Sequence, residues 1–278
     1  MQGLLLFVPC MGNVAIMIAT HSFKVFIGLL AVLLAGCASF QPDTTLPARV
    51  VASPNHDARQ ATMVVIHYTT NDDAGHSLDT LTSPARKVSA HYLIDTQGNL
   101  YQLVPENRRA WHAGQAYWAG VTDINSASIG IELDNSGSEP FEEAQIATLL
   151  NLLNDLQTRH KIRAANIVGH ADVAPGRKVD PGPYFPWRRL AQAGFGLWCD
   201  SPVANSDATV DINALLVALG YDPRLSESSR LAFRDHYLAN VDGTTVQDGA
   251  LERGMAQCLL EQRQRVAPGG MPDLQLLR

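Results

Sequence analysis

Met63-Val64-Val65-Ile66-His67-Tyr68-Thr69 is the run from which the fold is read. Its apolar, largely β-branched residues predict a buried strand that delivers an imidazole, His67, at its carboxyl end. In open α/β sheets, functional sites gather beyond the carboxyl ends of strands. A second apolar run, Ser128-Ile129-Gly130-Ile131-Glu132-Leu133, reads as another strand and carries one carboxylate, Glu132, where burial is expected. A buried glutamate needs a partner or a task. A short run, Ile167-Val168-Gly169, leads into His170-Ala171-Asp172-Val173-Ala174-Pro175-Gly176-Arg177-Lys178-Val179-Asp180-Pro181-Gly182-Pro183. Gly and Pro brace this loop into a tight path. Such a path can point His170, Lys178 and Asp180 at one spot. Imidazole and carboxylate are both good zinc ligands, and Lys178 would put a positive charge beside them. Each segment also has a plainer reading: a structural histidine, a strand-end glutamate facing solvent, a polar loop with a capping aspartate.

The remaining pattern predicts an α/β fold, a mixed central β-sheet flanked by helices, with a small all-α C-terminal domain. Residues 77–81 start a short helix closed by Pro84. Residues 90–94 and 100–104 form a hairpin across Asp95-Thr96-Gln97-Gly98-Asn99. Residues 141–160 form a long helix, with Ile146, Leu149, Leu150, Leu153 and Leu156 at three- and four-residue spacing. A further helix starts behind Pro186. After Asp200 the texture turns helical, over 210–219, 229–239 and 248–262. His91 lies in an alternating strand and reads as core.

Ile66-His67, Ser89-Ala90-His91-Tyr92, Ala110-Trp111-His112-Ala113-Gly114, Ile129-Gly130-Ile131-Glu132 and the loop from His170 to Pro183 occur in that order. In this they resemble the zinc-dependent N-acetylmuramoyl-L-alanine amidases, whose fold is shared with the peptidoglycan-recognition proteins. The resemblance covers residues 64–193. It implies His67, His170 and Asp180 as ligands of one Zn2+ per chain, Glu132 as general base and Lys178 as the stabiliser of an oxyanion. Two imidazoles and one carboxylate leave a tetrahedral position open, which is the catalytic zinc pattern. The bond cut would join N-acetylmuramic acid to L-alanine in muropeptides or peptidoglycan. Some relatives place a tyrosine where Ala90 stands, so the base role falls on Glu132. Trp111 and His112, in a Gly-flanked loop, are expected to contact substrate, and Arg177 to pair with a stem-peptide carboxylate; packing under the loop would serve Trp111 equally, and a solvated Arg177 is the simpler account. The alternative is a non-catalytic peptidoglycan-binding receptor on the same fold, but such receptors typically lack a zinc ligand. No His-Glu-x-x-His helix marks a zinc peptidase.

Residues 25–36 are almost wholly apolar behind His21 and Lys24, too short to span a bilayer convincingly and suited to a signal peptide. Leu34-Ala35-Gly36-Cys37 resembles a lipobox, which implies cleavage before Cys37, its lipidation and a membrane anchor. Ala38 favours sorting to the outer membrane, facing the periplasm of a Gram-negative cell. Met11 or Met17 would make a more ordinary start than Met1. Expected divisions are 1–36 signal segment, 37–57 lipidated cysteine and proline-bearing tether, 58–199 catalytic domain, 200–266 a three-helix domain and 267–278 a tail. The three-helix stretch weakly resembles a peptidoglycan-binding domain, with Phe233-Arg234 where that family has Phe-Gln. The formal net charge of −6 leaves no footprint for nucleic acid, and a monomer is expected. Of four cysteines, Cys10 leaves with the signal segment and Cys37 takes lipid. Cys199 and Cys258 then remain in an oxidising compartment, where they are expected to pair; two separately buried thiols are the alternative.

Overall fold

A computed structural model describes residues 40–58, 61–71, 73–240 and 242–265. The signal segment, Cys10, Cys37 and the tail from 267 lie outside the described residues. In chain order the strands are β1 (Ala48–Val50), β2 (His56–Ala58), β3 (Met63–Tyr68), β4 (Tyr92–Ile94), β5 (Leu100–Gln102), β6 (Arg108–Ala110), β7 (Ser128–Leu133) and β8 (Ile167–Gly169). The helices are α1 (Ala74–Thr82), α2 (Ile124–Ala127), α3 (Glu143–His160), α4 (His170–Val173), α5 (Trp187–Gln192), α6 (Ile212–Leu219), α7 (Ser226–Tyr237) and α8 (Gly249–Arg265).

Six strands form a mixed sheet in the order β1-β5-β4-β7-β3-β8, in which only β4 and β5 are antiparallel neighbours. The three central-to-edge strands β7, β3 and β8 run parallel, with His67 opposite Glu132 and Ile66 opposite both Ile131 and Gly169. Strand residues alternate between faces. Val64, Ile66, Ile129, Ile131 and Leu133 therefore share one face, where they pack on α3 through Ile146, Leu149 and Leu153. Met63 and Val65 point the other way and meet Val168 together with residues of α6, α7 and α8. His67 has the parity of Val65, so its ring leaves the sheet on this second face. Burial on both faces is why β3 reads as a continuous apolar run rather than an alternating one.

Gln145 ties α3 to the sheet: its side-chain amide donates to the carbonyls of Ile94 (3.2 Å) and Asp134 (2.8 Å), and its oxygen accepts from Glu142 N–H (3.3 Å). At the other end of α3, Arg159 and His160 converge with Tyr92 on the buried carboxylate of Glu106.

Two expectations change. The segment 37–57, read as a tether from its prolines, is docked from Asp43 onward. Asp43 Oδ2 accepts from Gln102 Nε2 and from Glu106 N–H, both at 2.8 Å, and β1 then pairs with the sheet edge at β5. Proline is compatible with edge strands, and a three-residue strand is too short to show a period. The stretch 200–266, read as a domain of its own, does hold helices α6, α7 and α8, but they share a core with the sheet. Phe233 and Tyr221 are fully buried in it, and the described residues form one compact unit. Helical periodicity marks an apolar face without naming what covers it. Among these helices, Glu252 of α8 accepts from Arg230 (2.9 Å) and Arg234 (2.5 Å) of α7. Arg263 caps α6 at the Leu219 carbonyl (2.8 Å), and Gly220 ends α6 in the left-handed conformation glycine favours. Cys199 and Cys258 are joined by a disulfide, with Cα atoms 6.1 Å apart.

Candidate active site

The register of β7, β3 and β8 lines up Glu132, His67 and the start of the His170 loop at one end of the sheet. Three donor atoms converge there. His67 Nδ1 lies 2.9 Å from His170 Nδ1 and 3.1 Å from Asp180 Oδ2, and His170 Nδ1 lies 3.0 Å from the same oxygen. Asp180 returns to this point because its carbonyl accepts from Ala171 N–H at 2.8 Å, closing the loop on itself. All three residues are buried. A tetrahedral zinc with ligands near 2.0–2.1 Å has ligand–ligand edges of about 3.3 Å, close to this triangle, and an imidazole–imidazole–carboxylate set is one zinc favours. Residues and metal therefore fit.

The electrostatics agree with that fit. Burial and the neighbouring His170 push the His67 pKa down to about 4, leaving its ring neutral with a free lone pair at pH 7. Burial works against the Asp180 carboxylate, but the close imidazoles of His170 and His67 outweigh it and hold the group well below the ordinary range. Glu132 stands opposite His67 with its Oε2 shut off from solvent and from any hydrogen-bond partner among the described residues. Burial, with a smaller push from Asp180, lifts its pKa to about 8. Lys178 is exposed on the same loop and lines the same cleft, which is about 500 Å³ in volume.

A family model for N-acetylmuramoyl-L-alanine amidase matches residues 57–183. The amidase AmiD of Escherichia coli K12 is 40% identical over 74% of this chain and 87% of its own length. This chain belongs to the N-acetylmuramoyl-L-alanine amidase family. The structure of E. coli AmiD with anhydro-N-acetylmuramic acid-L-Ala-D-gamma-Glu-L-Lys superposes with a TM-score of 0.63 at 38% identity, covering 80% of this chain and 95% of that one. AmpDh3 of Pseudomonas aeruginosa, in complex with anhydromuramic pentapeptide, gives 0.63 at 29% identity, covering 83% and 99%. The chain is thus a cell-wall amidase, and its mixed sheet is the fold of these enzymes.

In this amidase the other sequence-read residues fall into distinct places. Trp111 lines the cleft, and its indole N–H donates to Asp57 Oδ2 at 3.0 Å. Arg177, expected to meet a substrate carboxylate, lines the cleft with its guanidinium already engaged by backbone: it donates to the carbonyls of Gln115 (2.8 Å) and Ala113. Carbonyl partners leave no side-chain signature in sequence. His112, expected at the substrate, also lines the cleft but contacts His67 itself, Nδ1 to Nε2 at 3.0 Å. His91 is core, accepting from Gly130 N–H at 3.0 Å.

Sequence reading missed Asp172. Buried on α4, it accepts from Gly169 N–H (2.7 Å), Tyr221 O–H (2.6 Å) and His236 Nδ1 (2.8 Å), joining the site's loop to the C-terminal helices. An acidic residue in a polar loop gives no sign of partners 49 and 64 residues away.

Proposed function

We propose that the chain is a zinc amidase that hydrolyses the amide between the lactyl group of N-acetylmuramic acid and L-alanine in muropeptides, with one Zn2+ held by His67, His170 and Asp180. The observation that carries this reading is the triangle of three buried donor atoms beside a carboxylate oxygen that has no partner among the described residues. A zinc ion held there supplies Lewis acidity, polarising the scissile carbonyl and acidifying a water molecule in the site. Glu132 takes a proton from the attacking water at Oε2 and passes it to the departing L-alanine nitrogen. Lys178 places its ammonium at the cleft, where negative charge develops on the carbonyl oxygen. Trp111 offers an aromatic face at the cleft wall.

The anhydromuramic peptides bound in the AmiD and AmpDh3 complexes support muropeptides as the substrate class here. Lipidation at Cys37, with the enzyme on the outer membrane facing the periplasm, is part of the same proposal and rests on the lipobox-like run. Mass spectrometry of products tests the chemistry: intact murein and anhydro-muropeptides are each incubated with enzyme, with and without chelator. Free stem peptide beginning with L-alanine, lost on chelation and regained with zinc, is the expected result. Binding of muropeptide with no peptide released would point to a receptor instead. For location, Cys37→Ala is expected to lose lipid and leave the membrane fraction; an unlipidated, cytoplasmic wild type would overturn the anchor.

A further inference from the structure

His67 and His170 both turn Nδ1 toward the donor triangle, so both must carry their remaining proton on Nε2 if they are to hold a metal. For His170 the partner settles this. Its Nε2 faces the Ala113 carbonyl at 3.1 Å, which can only accept, and this contact is shorter than the 3.5 Å to the Arg177 guanidinium, which can only donate. For His67 the partner is another imidazole, His112 Nδ1, which could donate or accept. The answer lies two bonds further out. His112 Nε2 meets Ser128 Oγ at 3.2 Å, and Ser128 Oγ meets the Ile124 carbonyl at 2.6 Å. A serine hydroxyl has one proton, and the carbonyl takes it. Ser128 Oγ must then accept from His112 Nε2–H, which leaves His112 Nδ1 as an acceptor for His67 Nε2–H. The direction of the whole chain follows from the Ile124 carbonyl.

The surroundings are built to hold this chain. Asn125, buried on α2, accepts through Oδ1 from the N–H groups of both His112 (3.0 Å) and Ala113 (2.7 Å). One amide side chain thereby fixes the two adjacent residues that orient the two imidazoles. Gly130 leaves the space: a Cβ there would lie 2.5 Å from His112 Cγ, so any other residue in the strand would displace the ring.

We propose that His112 is a positioning residue of the metal site, and that the chain Ile124–Ser128–His112 sets the tautomer in which His67 presents Nδ1 to the ion. This rests on the zinc reading above. Metal ligands commonly gain affinity from such outer hydrogen bonds, and their loss costs about 10- to 100-fold. The test is zinc affinity by competition with a chromophoric chelator, alongside the visible spectrum of the cobalt-substituted protein. His112→Ala is expected to weaken zinc by about 10- to 100-fold and alter the cobalt bands. His112→Asn places an amide oxygen near the position of Nδ1 and is expected to recover most of the affinity. Equal loss in both variants would mean that the ring only packs, and would overturn the proposal. Ser128→Ala, a smaller change, is expected to weaken zinc without unfolding the protein, and it keeps the test informative should His112→Ala not fold. In zinc-loaded wild type, nitrogen NMR is expected to show His112 protonated at Nε2; protonation at Nδ1 overturns the chain. A wild type that binds no zinc at all would refute the zinc reading itself, whereas zinc binding undiminished in His112→Ala would refute only the positioning role.

Discussion

Glu132 Oε2 is closed off from water without a hydrogen-bond donor among the described residues, a state a protein tolerates only with a compensating use. Two outcomes are expected of Glu132→Gln. With metal bound, zinc content stays and kcat falls by roughly 10²- to 10⁴-fold, the range for a general acid–base group. Without metal, the variant is more stable than wild type above about pH 5. The sign follows from the raised pKa: between 4.5 and about 8 the unfolded chain loses a proton that the folded chain keeps, so wild-type stability falls as pH rises through that window. Thermal melts of the two chelated proteins from pH 4 to pH 9 check it. His67→Ala or Asp180→Ala is expected instead to lose the metal, because one fewer ligand leaves a weak site; full zinc content in either variant would remove that residue from the ligand set. Lys178→Ala is expected to keep zinc and cost roughly 10²- to 10³-fold in kcat, as for one oxyanion donor. The Gly/Pro-braced loop made it legible that His170 and Asp180 could meet, but the set His67, His170 and Asp180 came from the family resemblance, because nine histidines offer too many combinations for spacing alone to choose. The contact of His112 with His67 was not legible, since a histidine beside a glycine in a loop shows no partner. Gly130 was the available clue: a glycine inside an apolar strand often marks a close approach, here by an imidazole ring.

At the level of elements, segments with a hydrophobic period or a turn signal were readable, the short β4, β5 and β8 among them, and the other short ones were not. β3, β7, α3 and the three C-terminal helices follow their hydrophobic periods, whereas β1, β2, β6 and α2 span three or four residues, too few to display one. These short pieces still fix the core's edges. Glu106, just past β5, illustrates how. It is buried between β4 and the end of α3; burial alone would raise its pKa, but hydrogen bonds from Arg159, His160 and Tyr92 bring it down to about 2. The contribution of this depressed group is present above about pH 4.5 and is lost as pH falls toward 2, because there the unfolded chain binds the proton first. Glu106→Gln is therefore expected to cost about 3 kcal/mol at pH 7, the order found on breaking a buried ion pair. Urea titrations of wild type and variant are expected to converge near pH 2; a gap independent of pH would assign the loss to packing instead.

For the whole molecule the deciding fact is that the C-terminal helices share in covering the second face of the sheet. Met63, Val65 and Val168 are buried in one cluster with Leu216, Leu219, Phe233, Met255 and Leu259, so the strands that carry His67 and His170 depend on helices read from sequence as a separate domain. Asp172 adds a polar tie to Tyr221 and His236, and the Cys199–Cys258 disulfide closes 59 positions of chain at the same junction. Removing the helices would uncover large apolar side chains directly beneath the site, which few soluble domains tolerate. The described residues are accordingly expected to unfold in a single calorimetric transition. Cys258→Ser is expected to lower that transition by up to about 4 kcal/mol, the loop-closure contribution for a cross-link of this span, or roughly 8–16 °C for a chain of this size. It should leave the number of transitions at one, because the shared core remains. Two resolved transitions in the wild type would mean that sheet and helices fold independently. In that case a protein truncated after Asp200 would keep its zinc, and the C-terminal helices would be free to evolve as a wall-binding module; a single transition instead makes them part of the catalytic scaffold.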